Sequence, residues 1–393
     1  MNLDYSDDDR QFRERARTWL SENVPREARP PESQGQAAAA FDQAWQRCLY
    51  EGGFAGINWP KDFGGLGLTG IQQIIWFEEV ARAKAPHPGA MSIALNHAGP
   101  TLIVRGNTQQ KSEYLLPILR GETIWCQGFS EPGAGSDLAA LSTRGEIDGD
   151  HLVVNGQKMW TSNAHHARYQ ELLIRTDPTS KRHHGLTWVI CDMQTPGIQI
   201  HPIKNMMGER HVNTLFYDDV RIPLENVVGG VGEGWSVAMS TLSFERGTYF
   251  VPEQISLLDK IEQLTAMACK VRLEHGKLAI EDDHIIARLA QLKAQALALQ
   301  AMTITTVGSL ARQAQPGPEG SIVKLFVTTT YKAIAQLAAD IIGWDFLEYG
   351  DDRTSNRWTY EFMWSWVLTI AGGSSEIQRE IIADRILGLP RAR

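Results

Sequence analysis

The sequence predicts an α+β fold in three parts: an N-terminal helical domain over 1–122, a middle antiparallel β domain over 123–228 and a C-terminal helical bundle over 229–393. Three observations carry this. Apolar residues recur at helical spacing through the first 122 residues, between Gly/Pro breaks. Short β-branched and aromatic runs bounded by turn residues then take over, and the helical period returns after Gly229-Gly-Val-Gly-Glu-Gly234. The length of 393 residues also exceeds the roughly 250–300 over which one core grows, so several domains are expected.

Ser6-Asp-Asp-Asp9 reads as an N-cap with acidic first-turn residues, followed by Phe12, Ala16, Trp19 and Leu20 at helical spacing. Asn58 to Gly67 reads as a loop and Ile71 to Ala83 as a buried helix. In the middle, Asn155-Gly156 suits a type I′ hairpin. Leu186 to Cys191, Ile198 to Ile203 and Asn213 to Val220 read as strands. Long helices are predicted over Trp235 to Phe250, Ile255 to Leu273, Asp283 to Gln313 and Ile322 to Ile342, with a loop at Pro316 to Gly320. No strand runs into a GxGxxG, so a nicotinamide-binding Rossmann domain is not expected.

The 38 Lys+Arg against 46 Asp+Glu give a net charge of −8 without a basic stripe, so no nucleic-acid partner is expected. Cys48, Cys126, Cys191 and Cys269 lie far apart with no CxxC or Cys/His cluster, which fits a reducing compartment and implies no metal site. The N-terminus lacks an apolar leader segment and no run of about 18 apolar residues occurs. A cytoplasmic protein that does not span a membrane is expected.

Two segments carry the chemistry. Trp125-Cys-Gln-Gly-Phe-Ser-Glu-Pro-Gly-Ala-Gly-Ser-Asp137 reads as a strand entering a Pro-Gly turn whose glycines leave main-chain N–H groups open, and Lys158-Met-Trp-Thr-Ser-Asn163 places an indole beside two hydroxyls. Such a set suits a flat, polar-edged heterocycle with a phosphate tail. The pair resembles the flavin-binding signature of the acyl-CoA dehydrogenase family, and the order of the other segments extends the resemblance over nearly the whole chain. It implies FAD, with Gln127, Phe129 and Ser130 lining the isoalloxazine, Gly135 and Ser136 approaching the flavin or the thioester arm, Trp160 packing on the ring and Ser162 bonding near N5. Ser130 and Ser162 stand where the family usually has threonine, and both keep the hydroxyl.

Thr369-Ile-Ala-Gly-Gly-Ser-Ser-Glu-Ile-Gln378 contains Ser375-x-x-Gln378, a capping-box pattern that starts a helix. It resembles the family's Glu-Gly-Thr-Ser-Gln-Ile-Gln motif, which places Ser374 and Glu376 among the cofactor-binding residues. The motif's first residue is the catalytic base in many members, and here it is Gly372. Glycine cannot take a proton, but its N–H can still meet the substrate carbonyl. Glu245 in Thr241-Leu-Ser-Phe-Glu-Arg-Gly247 is the candidate replacement. Leu242, Thr241 and Ala238 precede it by three, four and seven residues, and burial on such a face raises its pKa toward the range useful for a general base. An ion pair with a neighbouring cation is the ordinary alternative. A minority of the family, including members acting on branched or bulky acyl groups, carries its base in a Glu-Arg pair here, which implies that Arg246 meets the thioester arm.

The family's cross-subunit cofactor motif is matched by Arg272 but broken at His275 and Asp283, and its Gln-x-x-Gly-Gly survives only as Asp340-Ile-Ile-Gly-Trp344. Trp358, Trp364 and Trp366 read as core or interface. The resemblance therefore implies an FAD-dependent acyl-CoA dehydrogenase that forms a trans-2-enoyl-CoA. It implies an electron-transferring flavoprotein as acceptor and a homo-oligomer, dimer or tetramer, or a hetero-oligomer with a homologous subunit. A non-catalytic partner subunit and an acyl-CoA oxidase are the alternatives.

Overall fold

The computed structural model describes residues 5–247, 251–310, 317–349 and 357–390, with 245–247 and 306–310 described by their backbone alone. The chain divides into two compact units: Met1–Gln73 with Arg82–Glu245, and Ile74–Ala81 with Arg246–Arg393.

The first unit begins with helices α1 (Asp7–Asn23), α2 (Gly35–Glu51), the start of α3 (Gly70–Arg82), α4 (Gly99–Arg105) and α5 (Thr108–Leu119). Ser6 caps α1 as the sequence predicts, with Asp9 bonding back in a capping box. A π-helical turn, Ala94–Ala98, leads into α4. Strands β1 (Trp125–Gly128), β2 (Arg144–Asp148), β3 (His151–Ser162), β4 (Tyr169–Arg175), β5 (Leu186–Asp192), β6 (Ile198–Ile203), β7 (Val212–Pro223) and β8 (Val227–Val228) form one sheet. Their order is β6-β7-β3-β2-β4-β5-β8, with β1 on β4. The sheet is antiparallel except that β4 pairs parallel with β1 throughout and with β2 at one position. Its runs of Leu172, Leu173 and Ile174 against Val189 and Ile190 are fully buried, so both faces of β4 and β5 are covered.

The hairpin expected at Asn155-Gly156 is not there. Both residues lie inside β3, and the two-residue turn between β2 and β3 is Gly149-Asp150, where Asp148 pairs with His151. Asn155 instead bonds Asp219 through its side chain, Oδ1 accepting from the Asp219 N–H at 3.0 Å. That contact holds a bulge on β7, where three residues of β7 match two of β3 and Asp219 takes φ 48°.

α6 (Gly234–Gly247) closes the first unit. It packs on α4 through Thr101 Oγ1 and Thr241 Oγ1 at 2.9 Å and Arg105 Nε donating to Ser240 Oγ at 2.9 Å. The second unit holds α7 (Val251–Ala268), α8 (Asp283–Leu310), α9 (Gly320–Ile342), α10 (Arg357–Ile370) and α11 (Ser375–Ile381), around Leu257, Leu264, Leu299, Val327 and Leu337. The predicted ends of the helices at Phe250 and Gln313, and Pro316, lie outside the described residues. α7 stops at Ala268 rather than Leu273, because residues 272–278 turn back on themselves at Gly276, φ 87°. Trp358 and Trp364 pack at the edge of this core, whereas Trp366 is 41% exposed.

Candidate active site

In the first unit, the two segments singled out in the sequence meet. The turn after β1 closes on itself, the Glu131 N–H donating to the Ala134 carbonyl at 3.0 Å and the reverse bond at 3.1 Å. Met159 N donates to the Ser130 carbonyl at 2.9 Å, so β3 delivers Trp160 to Ser162 beside that turn. A Cβ built on Gly133 or Gly135 would meet no atom within 4 Å, and both are exposed with Ser136. Ser130 and Ser162 are half-buried. A cleft of about 270 Å³ runs along Glu131, Pro132, Gly133, Ala140, Ser142 and Gln157.

Trp160 takes φ 63°, a left-handed conformation that is rare for a bulky side chain. It sits in a second bulge, where β3 carries one extra residue between Lys158 opposite Leu215 and Thr161 opposite Asn213. Leaving the ladder re-aims the indole, which is 58% exposed. Phe129, by contrast, is buried in the core. Gln127 is engaged inside the unit, its Nε2 donating to Glu171 Oε1 at 2.7 Å and lying 3.2 Å from Nδ1 of His97 on the π-helical turn.

The residues that hold this surface in place were not read from the sequence. Lys158, fully buried, donates to the Glu131 carboxylate at 2.9 Å and to the Phe129 carbonyl at 3.0 Å. Glu131 also accepts from Thr143 N at 2.9 Å and from Ser142 N and Oγ at 2.7 and 2.8 Å. Burial would push the Glu131 carboxyl up, but the Lys158 charge and these hydrogen bonds bring it down to about 2. Burial, partly offset by Glu131, lowers Lys158 to about 8, which leaves it cationic at neutral pH. The ion pair bolts the turn to β3.

On α6, Ala238 and Thr241 are buried and Leu242 is partly buried, so the face expected to carry Glu245 is packed. The side chains of Glu245 and Arg246 lie outside the described residues.

In the second unit, the capping box expected at Ser375 does not form, and the cap falls one residue earlier. Ser374 is the N-cap of α11, its Oγ accepting from Ile377 N at 3.4 Å. Gln378 does not bond back to the cap, because its Nε2 donates to the carbonyls of Gly372 and Gly373 at 3.1 and 3.0 Å. Gly372 and Gly373 take φ 64° and 90°. Glu376 is exposed, 3.6 Å from Arg379. Arg272 donates to the Gly276 carbonyl of its own turn at 2.8 Å. His275 lies 3.8 Å from Asp282, which caps α8 by accepting from His284 and Ile285, and Asp283 opens that helix.

An exposed indole, open glycine main chain and nearby hydroxyls suit a flavin ring with its phosphates. Models of the acyl-CoA dehydrogenase N-terminal, middle and C-terminal domains match residues 6–122, 126–220 and 232–387. Acyl-CoA dehydrogenase IpdE1 of Mycobacterium tuberculosis is 37% identical, over 97% of this chain and 98% of its own length. The crystal structure of the ChsE4-ChsE5 complex from Mycobacterium tuberculosis superposes with a TM-score of 0.84 at 28% identity, and the Tcur3481-Tcur3483 steroid ACAD with 0.83 at 26%, each over all of both chains. The chain belongs to the acyl-CoA dehydrogenase family. It is an FAD-dependent oxidoreductase that dehydrogenates acyl-CoA thioesters. Among the described residues no helix is long and apolar enough to cross a membrane.

Proposed function

We propose that this dehydrogenase acts on a bulky, ring-bearing acyl-CoA, converting it to the trans-2-enoyl-CoA with Glu245 as the base. The observation that carries this reading is Gly372, a left-handed glycine at the position where the family motif, by resemblance, carries its base in many members. A glycine there supplies an N–H without the volume of a side chain. The similarity to the Tcur3481-Tcur3483 steroid ACAD supports the same substrate class.

The division of labour follows from the chemistry. Glu245 takes the α-proton, and the Gly372 N–H donates to the thioester carbonyl oxygen as negative charge gathers there. FAD, when bound, supplies the acceptor for the hydride leaving Cβ. Trp160 offers its ring face to the flavin, the Ser130 and Ser162 hydroxyls its polar edge, and Gln127 and the main chain of Phe129 support that edge. Gly135 and Ser136 serve the phosphate or thioester arm, Arg246 the thioester arm, and Arg272, Ser374 and Glu376 the rest of the cofactor. An electron-transferring flavoprotein takes the electrons.

Reconstituted with FAD, alone or with its homologous subunit, the protein is expected to be yellow. Anaerobic titration with short, long, branched and polycyclic acyl-CoAs, read by loss of the flavin absorbance, should show preferential bleaching by the bulky members. Bleaching only by short linear chains would overturn the substrate class, and peroxide formation in air at the catalytic rate would make the protein an oxidase.

The turn bearing Arg272, with His275 and Asp283 in place of the family's partners, favours a homologous second subunit that completes the adenosine side of the cofactor site. Expressed alone, the chain should retain FAD weakly, and co-expressed with such a subunit, tightly. Stoichiometric FAD in a homotetramer would overturn that assembly.

A further inference from the structure

We propose that Lys324 and Gln378 are positioning residues that aim the Gly372 N–H at the thioester carbonyl oxygen, an inference that rests on the role given to Gly372 above. Lys324 is 1% exposed on a stretch of α9 that is otherwise apolar, next to Val323 and one turn from Val327. A buried ammonium needs compensation, and backbone supplies part of it: Lys324 Nζ donates to the carbonyls of Ala371 and Gly373. Gln378, also 1% exposed, donates to the carbonyls of Gly372 and Gly373. Three consecutive carbonyl groups are thus held by one lysine and one glutamine.

The consequence is geometric. Across a trans peptide the C=O and N–H point in opposite directions, so fixing the carbonyls of residues 371 to 373 turns the N–H groups of Gly372, Gly373 and Ser374 away from the clamp. The Gly372 donor is aimed by the atom bonded to Ala371. Glycine and clamp are fitted to each other, since a Cβ on Gly373 would come within 2.7 Å of Gln378 Nε2.

An ordinary role for Lys324 would be to cap the last carbonyls of α10, where a cation complements the helix dipole. Capping does not account for the reach to Gly373, beyond the helix, nor for the second grip by a side chain of α11. A donor held this rigidly needs no reorganisation as charge develops on the substrate, which is the condition under which such donors are effective.

The test uses the FAD holoenzyme and the acyl-CoA that bleaches the flavin in the titration above. Its enoyl-CoA product, ¹³C-labelled at the carbonyl, is bound to the oxidised enzyme and the carbonyl stretch is read by difference infrared. Wild type should shift the stretch to lower frequency. Lys324→Met should lose at least about half of that shift and reduce the flavin at least about tenfold more slowly, against about 10²–10³ for outright loss of such a donor, with KM changed less than about threefold. Gln378→Met should move the same readouts in the same direction by less, and carries the test if Lys324→Met yields no holoenzyme. A full shift in folded variants, even with a slower rate, would overturn the proposal and leave Gly372 as the donor. No shift in wild type would remove the Gly372 reading and the proposal with it, as would a flavin that no acyl-CoA reduces.

Discussion

Glu245→Gln is expected to slow reduction of the bound flavin by acyl-CoA about 10²–10⁴-fold while acyl-CoA binding persists, because the amide keeps size and hydrogen bonding but cannot accept a proton. The measurement is stopped-flow anaerobic bleaching at saturating substrate, with a binding titration of the enoyl-CoA product on the same preparation. The packed face formed by Ala238, Thr241 and Leu242 on α6 suits a carboxyl kept out of bulk water. Near-wild-type reduction would remove Glu245 from the mechanism and require another base. Loss of product binding in parallel would instead make it a structural residue.

Lys158→Met should have the largest effect on stability. The thioether fills the space of the lysine stem but leaves the Glu131 carboxylate and the Phe129 carbonyl buried without their cation, and breaking such a pair costs about 3–5 kcal/mol. Urea unfolding should show that loss, and FAD retention should fall with it, since the turn from Ser130 to Ser136 is no longer bolted to β3. The double variant Lys158→Met/Glu131→Gln should recover part of the stability, because neither charge then remains. The same pair sets an acid limit. The carboxyl of Glu131 falls from 4.5 to about 2 on folding, so its contribution is present above about pH 4.5 and is lost as the pH falls toward 2. At 1.36 kcal/mol per unit, that segment of the acid slope is of the order of 3 kcal/mol. Glu131→Gln should lack it, and an unchanged slope would place the acid sensitivity elsewhere.

Much of the fold was legible because periodicity is local. Phe12, Ala16 and Leu20 are buried as their spacing predicts, and the break in period near residue 123 marks where strands begin. What depended on pairing was not legible. Asn155-Gly156 satisfies a turn as readily as the strand opposite a bulge, and only the partner strand decides, through Asp219. Ser374 and Ser375 are equally good caps, and the choice followed from Gln378 finding its partners behind it, at Gly372 and Gly373. In the site, the indole, the hydroxyls and the open glycines could be read from two short segments. Lys158 and Lys324 could not be assigned in that way, because a lysine reads as solvent-facing unless its partner is known, and Glu131 and Ala371 lie 27 and 47 residues away. A signal did exist for Lys324, which shares a helix face with Val327, Thr328 and Tyr331, all buried.

The left-handed bulge at Trp160 also bears on how this protein would respond to engineering. A non-glycine residue at φ 63° gives up roughly 1–2 kcal/mol that glycine would not, and an indole 58% exposed returns little of it through packing within the chain. Trp160→Gly should therefore melt at the same temperature as the parent, or higher, when both lack flavin. A screen that ranks variants by the melting of apoprotein would then keep that substitution and discard the ring that we propose packs on the flavin. Only selection on the loaded protein, by colour or turnover, reveals what the strained backbone is for.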